Sequence, residues 1–167
     1  MHAPHRLMAY NRQWPQEFEQ SRSMLLWASE GWIQDIQHIG GTALPGSVAQ
    51  PVIDMLAGMS EIHGLNEAAE LIEGLNYTRV PSPDWCADEL TAHLQKPRAG
   101  LVTHTVLLVR QGGAVWRQGV AVREQLRWNI GDRQRLETIK REHFIDGCHA
   151  HVNYAAAKHN FFNALEL

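Results

Sequence analysis

Cysteine is scarce: Cys86 and Cys148 are the only two in 167 residues, far apart and in no Cys-x-x-Cys pattern. That excludes a disulfide framework and makes reduced thiols the expectation. No run reaches the roughly 18 apolar residues that span a bilayer, so no membrane partner is expected. The opening stretch, MHAPHRLMAYNRQWPQ, holds no apolar segment of signal-peptide length, which points to a cytoplasmic location. Strong charge is also lacking. A formal net charge of −3 argues against bulk nucleic-acid binding, while leaving room for a local basic pocket. Internal repeats and low-complexity tracts are absent. What remains is an ordinary globular composition at a length suited to one domain over residues 1–167, which needs neither metal nor disulfide to hold its core.

Hydrophobic patterning predicts an amphipathic helix over Pro15–Trp32, with Pro15 in its first turn and Gly31 near its stop. A short strand follows over Ile33–Ile39, broken by Gly40-Gly41-Thr42. Pro51–Met59 (PVIDMLAGM) reads as a buried strand around a single acid. His63–Leu75 has helical spacing, and the three-proline segment Pro81–Gly100 reads mainly as loop. Leu101–Arg110 (LVTHTVLLVR) is the strongest strand in the chain. Ala114–His143 reads as two helices broken near Gly131-Asp132, followed by a last helix over Val152–Leu165. This order implies an α+β domain, a small mixed sheet flanked by helices.

The chemistry concentrates in His38–Met59, HIGGTALPGSVAQPVIDMLAGM. Gly40-Gly41-Thr42 offers exposed backbone N–H groups and a hydroxyl where glycine lets a ligand come close. Twelve residues beyond Thr42, Asp54 sits inside an apolar strand, where a carboxylate is costly unless hydrogen-bonded, ion-paired or metal-bound. That pairing suits a nucleotide phosphate held against a carboxylate-bound Mg²⁺. The ordinary alternative is a turn glycine pair and an aspartate that caps a neighbouring helix.

This segment resembles the GrpB family's HIGSTAVPGLAAKPIIDI. His38, Ile39, Gly40, Thr42, Ala43, Pro45, Gly46, Ala49, Pro51, Ile53 and Asp54 stand at the matching places. Family-like positions continue through Trp14-Pro15, Phe18, Trp116, Arg123, Leu126, Lys140, Tyr154, Lys158 and Phe161, nearly the full length. The resemblance implies a nucleotidyltransferase-like mixed β-sheet with helices packed on it. It also implies Asp54 as the catalytic and metal-binding acid, with Mg²⁺ as the cofactor. His38, Gly40, Gly41, Thr42, Arg123 and Lys158 become the ligand-binding candidates, and a nucleotide or phosphorylated small molecule the partner.

The chain departs from that pattern. Active nucleotidyltransferases add a second acid two residues on and a third on a later strand, but here Asp54-Met55-Leu56 supplies one and Leu101–Arg110 none. Gly41 replaces the relatives' serine, and Gln50 their lysine before Pro51. In the later strand only His104 remains of an HLH-like pattern, with Thr105 and Leu107 where histidines would fall. A one-residue shift there would move His104 to the other face of the sheet.

Other candidates are weaker. His143, Asp146, Cys148, His149 and His151 include zinc-binding types but complete no recognised zinc pattern. Arg123, Arg127, Lys140 and Lys158 fall on helices, where solvated faces are usual. Tyr154 and Lys158 share one face at i, i+4. The six tryptophans read mostly as core or packing; for Trp85, in the proline-rich loop, packing under the loop ranks ahead of covering a pocket or stacking on a base. Binding of a nucleotide or phosphometabolite with weak or no transferase activity ranks first. An active transferase with a reduced metal site and a non-enzymatic interaction module are the alternatives.

Overall fold

The computed structural model describes residues 6–86, 88–145, 148–149 and 152–167. Five strands form one mixed sheet in the order β1 (Asp35–Ile39), β2 (Ile53–Met59), β5 (His104–Arg110), β4 (Ala92–Lys96), β3 (Thr78–Val80). Only the β2–β5 pair is parallel; the others are antiparallel. A two-stranded ribbon, β6 (Phe144–Ile145) with β7 (Cys148–His149), stands apart.

Helices α1 (Trp14–Ala28) and α2 (Leu65–Glu73) cover one face of the sheet. There Trp14, Phe18, Leu25, Ala68 and Ile72 pack against Ile36, Ile53, Met55, Leu94, Val106 and Leu108. The other face meets α3 (Ala114–Trp128), with Leu56, Leu107, Val109 and Val115 forming a second core. Helices α4 (Ile130–His143) and α5 (Val152–Asn163) extend that layer, and a third cluster joins Leu44, Leu126 and Leu136 with Phe161 and Phe162. With both faces covered, β2 reads as a nearly continuous apolar run.

The expected helices and the strands around the glycine turn are present. Helix α1 stops at Ala28, earlier than expected, because Glu30 and Gly31 take positive φ values. The break between α3 and α4 falls at Asn129. Four strands were not expected: β3, β4 inside the proline-rich segment, and the ribbon strands β6 and β7. Trp27 and Trp128 are exposed, contrary to the expected packing role; the Trp128 indole N–H donates to Glu124 instead. No helix among the described residues is long and apolar enough to cross a membrane.

Candidate functional site

Strand β1 ends at Ile39, and Gly40 turns the chain with φ 76° and ψ −174°, a conformation essentially confined to glycine. A 3-10 turn, Gly41–Ala43, follows, closed by the Ala43 and Leu44 N–H groups on the Gly40 and Gly41 carbonyls. A Cβ on Gly40 would lie 2.5 Å from Asp54 Oδ2, and one on Gly41 would lie 3.0 Å from Lys140 Nζ. Two successive glycines therefore admit a carboxylate and an ammonium group.

Asp54 pairs with Ile39 on β1 and Thr105 on β5, and Thr105 pairs in turn with Gln95 on β4. Paired residues face the same side, so Asp54, Thr105 and Gln95 form a polar row on the α3 face of the sheet. The Thr105 hydroxyl donates to Asp54 Oδ1 at 2.5 Å. Asp54 faces a cavity rather than bulk water, so burial raises its pKa. The Thr105 hydrogen bond, then Lys158, His93 and Lys140, pull it back down.

The cavity has a volume of about 460 Å³, small-molecule size. Gly40, Gly41, Asp54, Lys140 and Lys158 line it together with the apolar Leu44, Val122, Leu126, Leu136 and Phe162, the polar Gln50, Gln118, Arg123, His159 and Asn163, and half-exposed Trp85. Lys140 is buried and donates to the Val48 carbonyl at 3.1 Å, while Glu137, one turn earlier, accepts the Val48 N–H at 2.8 Å. Burial, then repulsion from Lys158, lowers the Lys140 pKa to about 8, against the opposing pull of Glu137 and Asp54. Burial likewise lowers Lys158, against the pull of Asp54.

The expected site residues divide between two sides. Gly40, Gly41, Asp54 and Lys158 meet at the cavity. His38 and Thr42 turn the other way, into a groove beside α1. There the Thr42 hydroxyl donates to the Val52 carbonyl at 2.9 Å, so His38 Nε2, 2.9 Å from the same oxygen, must be the donor to it. His38 also stacks on Phe18, with ring centroids 4.8 Å apart. Burial first, then Arg127 and Arg123, lowers its pKa to about 4 and keeps it neutral. These contacts support the turn from behind.

Arg123 lines both spaces, but its guanidinium donates to Gln37 Oε1 at 2.7 Å, the His38 carbonyl at 3.1 Å and Glu124. Arg127 donates to the Ala43 carbonyl at 3.0 Å. His104 lies on the sheet face opposite Asp54, one residue out of step with Thr105. Sequence reasoning left Thr105 out of the site and placed Lys140 outside its chosen residues. The side chains of His143, Cys148, His149 and Tyr154, and all of Asp146 and His151, lie outside the described residues.

Mg²⁺, which the fold family implies, takes near-octahedral oxygen ligands, several of them carboxylate or phosphate. Among the described residues no three His, Cys, Asp or Glu side chains are grouped to hold a metal ion. Asp54 instead has two ammonium groups as cavity neighbours, a donor set that does not fit the ion.

A mixed five-stranded sheet with helices on both faces, a glycine turn and a strand aspartate beside it define an α+β protein with one cavity-facing carboxylate at the turn. The chain belongs to the GrpB family, matching it ("GrpB protein") over residues 4–166. It is similar to the UPF0157 protein SCO7215 of Streptomyces coelicolor, 26% identical over 161 residues, 96% of this chain and 81% of that protein. The glutamate-rich protein GrpB of Alkalihalophilus pseudofirmus is 23% identical over 151 residues, 88% of this chain and 87% of its own. The crystal structure of conserved protein GrpB from Enterococcus faecalis shares the fold, with a TM-score of 0.71 at 21% identity. That match covers 94% of this chain and 97% of the other.

Proposed function

We propose that this GrpB-family protein binds a phosphorylated small molecule, of which a nucleotide is the best-fitting class, and does not carry out ordinary two-metal nucleotidyl transfer. One observation carries this reading: Asp54, the one carboxylate among the described lining residues, meets Lys140, Lys158 and a glycine turn in a cavity that Leu44, Val122, Leu126, Leu136 and Phe162 also line. Phosphate is drawn to the lysines, of which Lys140 sets its Nζ against Gly41. The apolar lining residues accept a base or similar organic body. Asp54, its Oδ1 already bonded to Thr105, turns its second oxygen toward Gly40, where it can accept a ligand hydroxyl. Two-metal transfer needs further acids on the Asp54 face, and Leu56, Thr105 and Leu107 occupy the adjacent positions.

Calorimetry with a nucleotide panel, run with and without Mg²⁺, tests the reading. Binding weakened at least tenfold by Lys158→Met is the expected result. Absence of binding across the panel overturns it, and turnover of labelled nucleotide that vanishes in Asp54→Asn would establish transfer instead.

A further inference from the structure

On the sheet face that carries Asp54, the positions from which a second acid would share a metal ion are neutral. The next such residue along β2 is the fully buried Leu56; beside Asp54 on β5 is Thr105, followed by Leu107, and beyond Thr105 on β4 is Gln95. Positive charge arrives from the helices instead. Lys140 reaches in from α4 until its Nζ nearly touches the place of a Gly41 Cβ, and Lys158 reaches the same cavity from α5.

We propose that Lys140, with Lys158 beside it, stands in for the metal ion, so that the cavity takes the phosphate monoester of a small molecule without a divalent cation. This rests on the phosphate reading of the cavity given above. Lys140 is set for the task before any ligand arrives, because the Val48 carbonyl fixes its ammonium group with one of its three N–H donors. Glu137 anchors the same residue through the Val48 N–H, so α4 grips two successive peptides of the loop that follows the glycine turn. Among the described lining residues one carboxylate, Asp54, stands against Arg123, Lys140 and Lys158, an excess of positive charge. A phosphomonoester dianion offsets that excess. The cation of a metal–triphosphate complex is held by further oxygen ligands, and the described lining offers it one carboxylate. The apolar lining residues then select for an organic body on the ester, and inorganic phosphate serves as the minimal probe of the charged groups.

Two measurements on the full chain test the proposal. The first is a Mn²⁺ titration followed by electron paramagnetic resonance, with no ligand present. The second is an amide chemical-shift titration with inorganic phosphate and with AMP in EDTA. No one-to-one Mn²⁺ site is expected, and phosphate and AMP should shift the Gly40 and Gly41 amides in EDTA, with AMP the tighter. Lys140→Met should weaken both at least tenfold. Because Lys140 also holds Val48, Lys158→Met is run beside it, and thermal melting establishes that each variant is folded. A Mn²⁺ site lost in Asp54→Asn, or binding that requires Mg²⁺ in place of EDTA, overturns the substitution of lysine for metal and leaves the phosphate cavity standing. Binding in EDTA that neither lysine variant weakens also overturns it. No shift with either probe, with or without Mg²⁺, overturns both readings.

Discussion

Oδ2 of Asp54 lies 2.5 Å from the position a Cβ would occupy on Gly40. Any side chain at Gly40 therefore meets two penalties, a glycine-only backbone conformation and a collision with a carboxylate fixed by Thr105. Gly40→Ala is expected to destabilise by ~3 kcal/mol, the upper end of backbone strain with the collision added. Gly46→Ala isolates the strain, since Gly46 has φ 80° and nothing within 4 Å of its Cβ position; a loss of ~1–2 kcal/mol is expected there. Urea unfolding measures both. On an Asp54→Ala background the Gly40→Ala cost should shrink, and an unchanged cost would show that the two residues do not collide.

His38 gives the fold a pH dependence of known sign. Its folded pKa of about 4 lies below the ordinary value of 6.5, so between those values the unfolded chain binds the proton and the folded chain does not. Stability is therefore full above pH 6.5 and is lost as pH falls toward 4. Going from pH 7 to pH 5 should cost ~2 kcal/mol through His38. His104, also lowered to about 4 by burial and Lys96, adds loss in the same direction. His38→Gln keeps an N–H for Thr42 and removes the proton, so its urea midpoints should vary less over this range. An undiminished slope would place the titrating group elsewhere.

Thr105 holds the Asp54 carboxylate by the single 2.5 Å hydrogen bond. Thr105→Val removes that donor and keeps the shape, so the already raised Asp54 pKa should rise further, measured by carbon-13 titration of the side-chain carboxyl. Loss of a hydrogen bond to a charged group should also lower stability by ~1.5–3 kcal/mol at neutral pH. An unmoved Asp54 titration would mean that the bond is not made in solution.

The segment from Ile33 to Met59 was legible because local patterns specify it: strand alternation, a glycine break and an apolar run around one acid. β4 was not. In Ala92–Lys96 only Ala92 and Leu94 are apolar and face the core, too few to stand out between prolines, and β3 is three residues long. The site was half legible for a related reason. Gly40, Gly41 and Asp54 lie in one contiguous motif, whereas Thr105 joins them only through the β2–β5 register, which a one-residue slip would have given to His104. Lys140 sits on a mostly polar helix, and nothing local distinguishes it from its solvated neighbours; only the docking of α4 on Val48 turns it inward. His38 and Thr42 show the converse. Their motif positions were plain, but the face each side chain takes follows from strand parity and the Phe18 stack.

Lys140 separates ligand affinity from stability by the opposite signs of their pH dependence. With a folded pKa of about 8 against an ordinary 10.5, it loses its charge in the folded protein first. Phosphate affinity should therefore fall as pH rises through about 8, by ~10- to 100-fold for one lost charge-assisted hydrogen bond. Over the same range the unfolded chain binds more protons than the folded one, so stability without ligand should rise, by ~1 kcal/mol between pH 8 and 9. Above pH 9 Cys86 opposes that rise, since burial pushes its thiol to about 11 and the unfolded chain ionises first. Lys158→Met removes the repulsion that helps lower Lys140 and should move the affinity midpoint upward. Calorimetry with AMP in EDTA at pH 7, 8 and 9, beside urea melts at the same values, reads both quantities. Affinity and stability falling together would signal simple alkaline loosening of the fold, and flat affinity would remove Lys140 from the phosphate site.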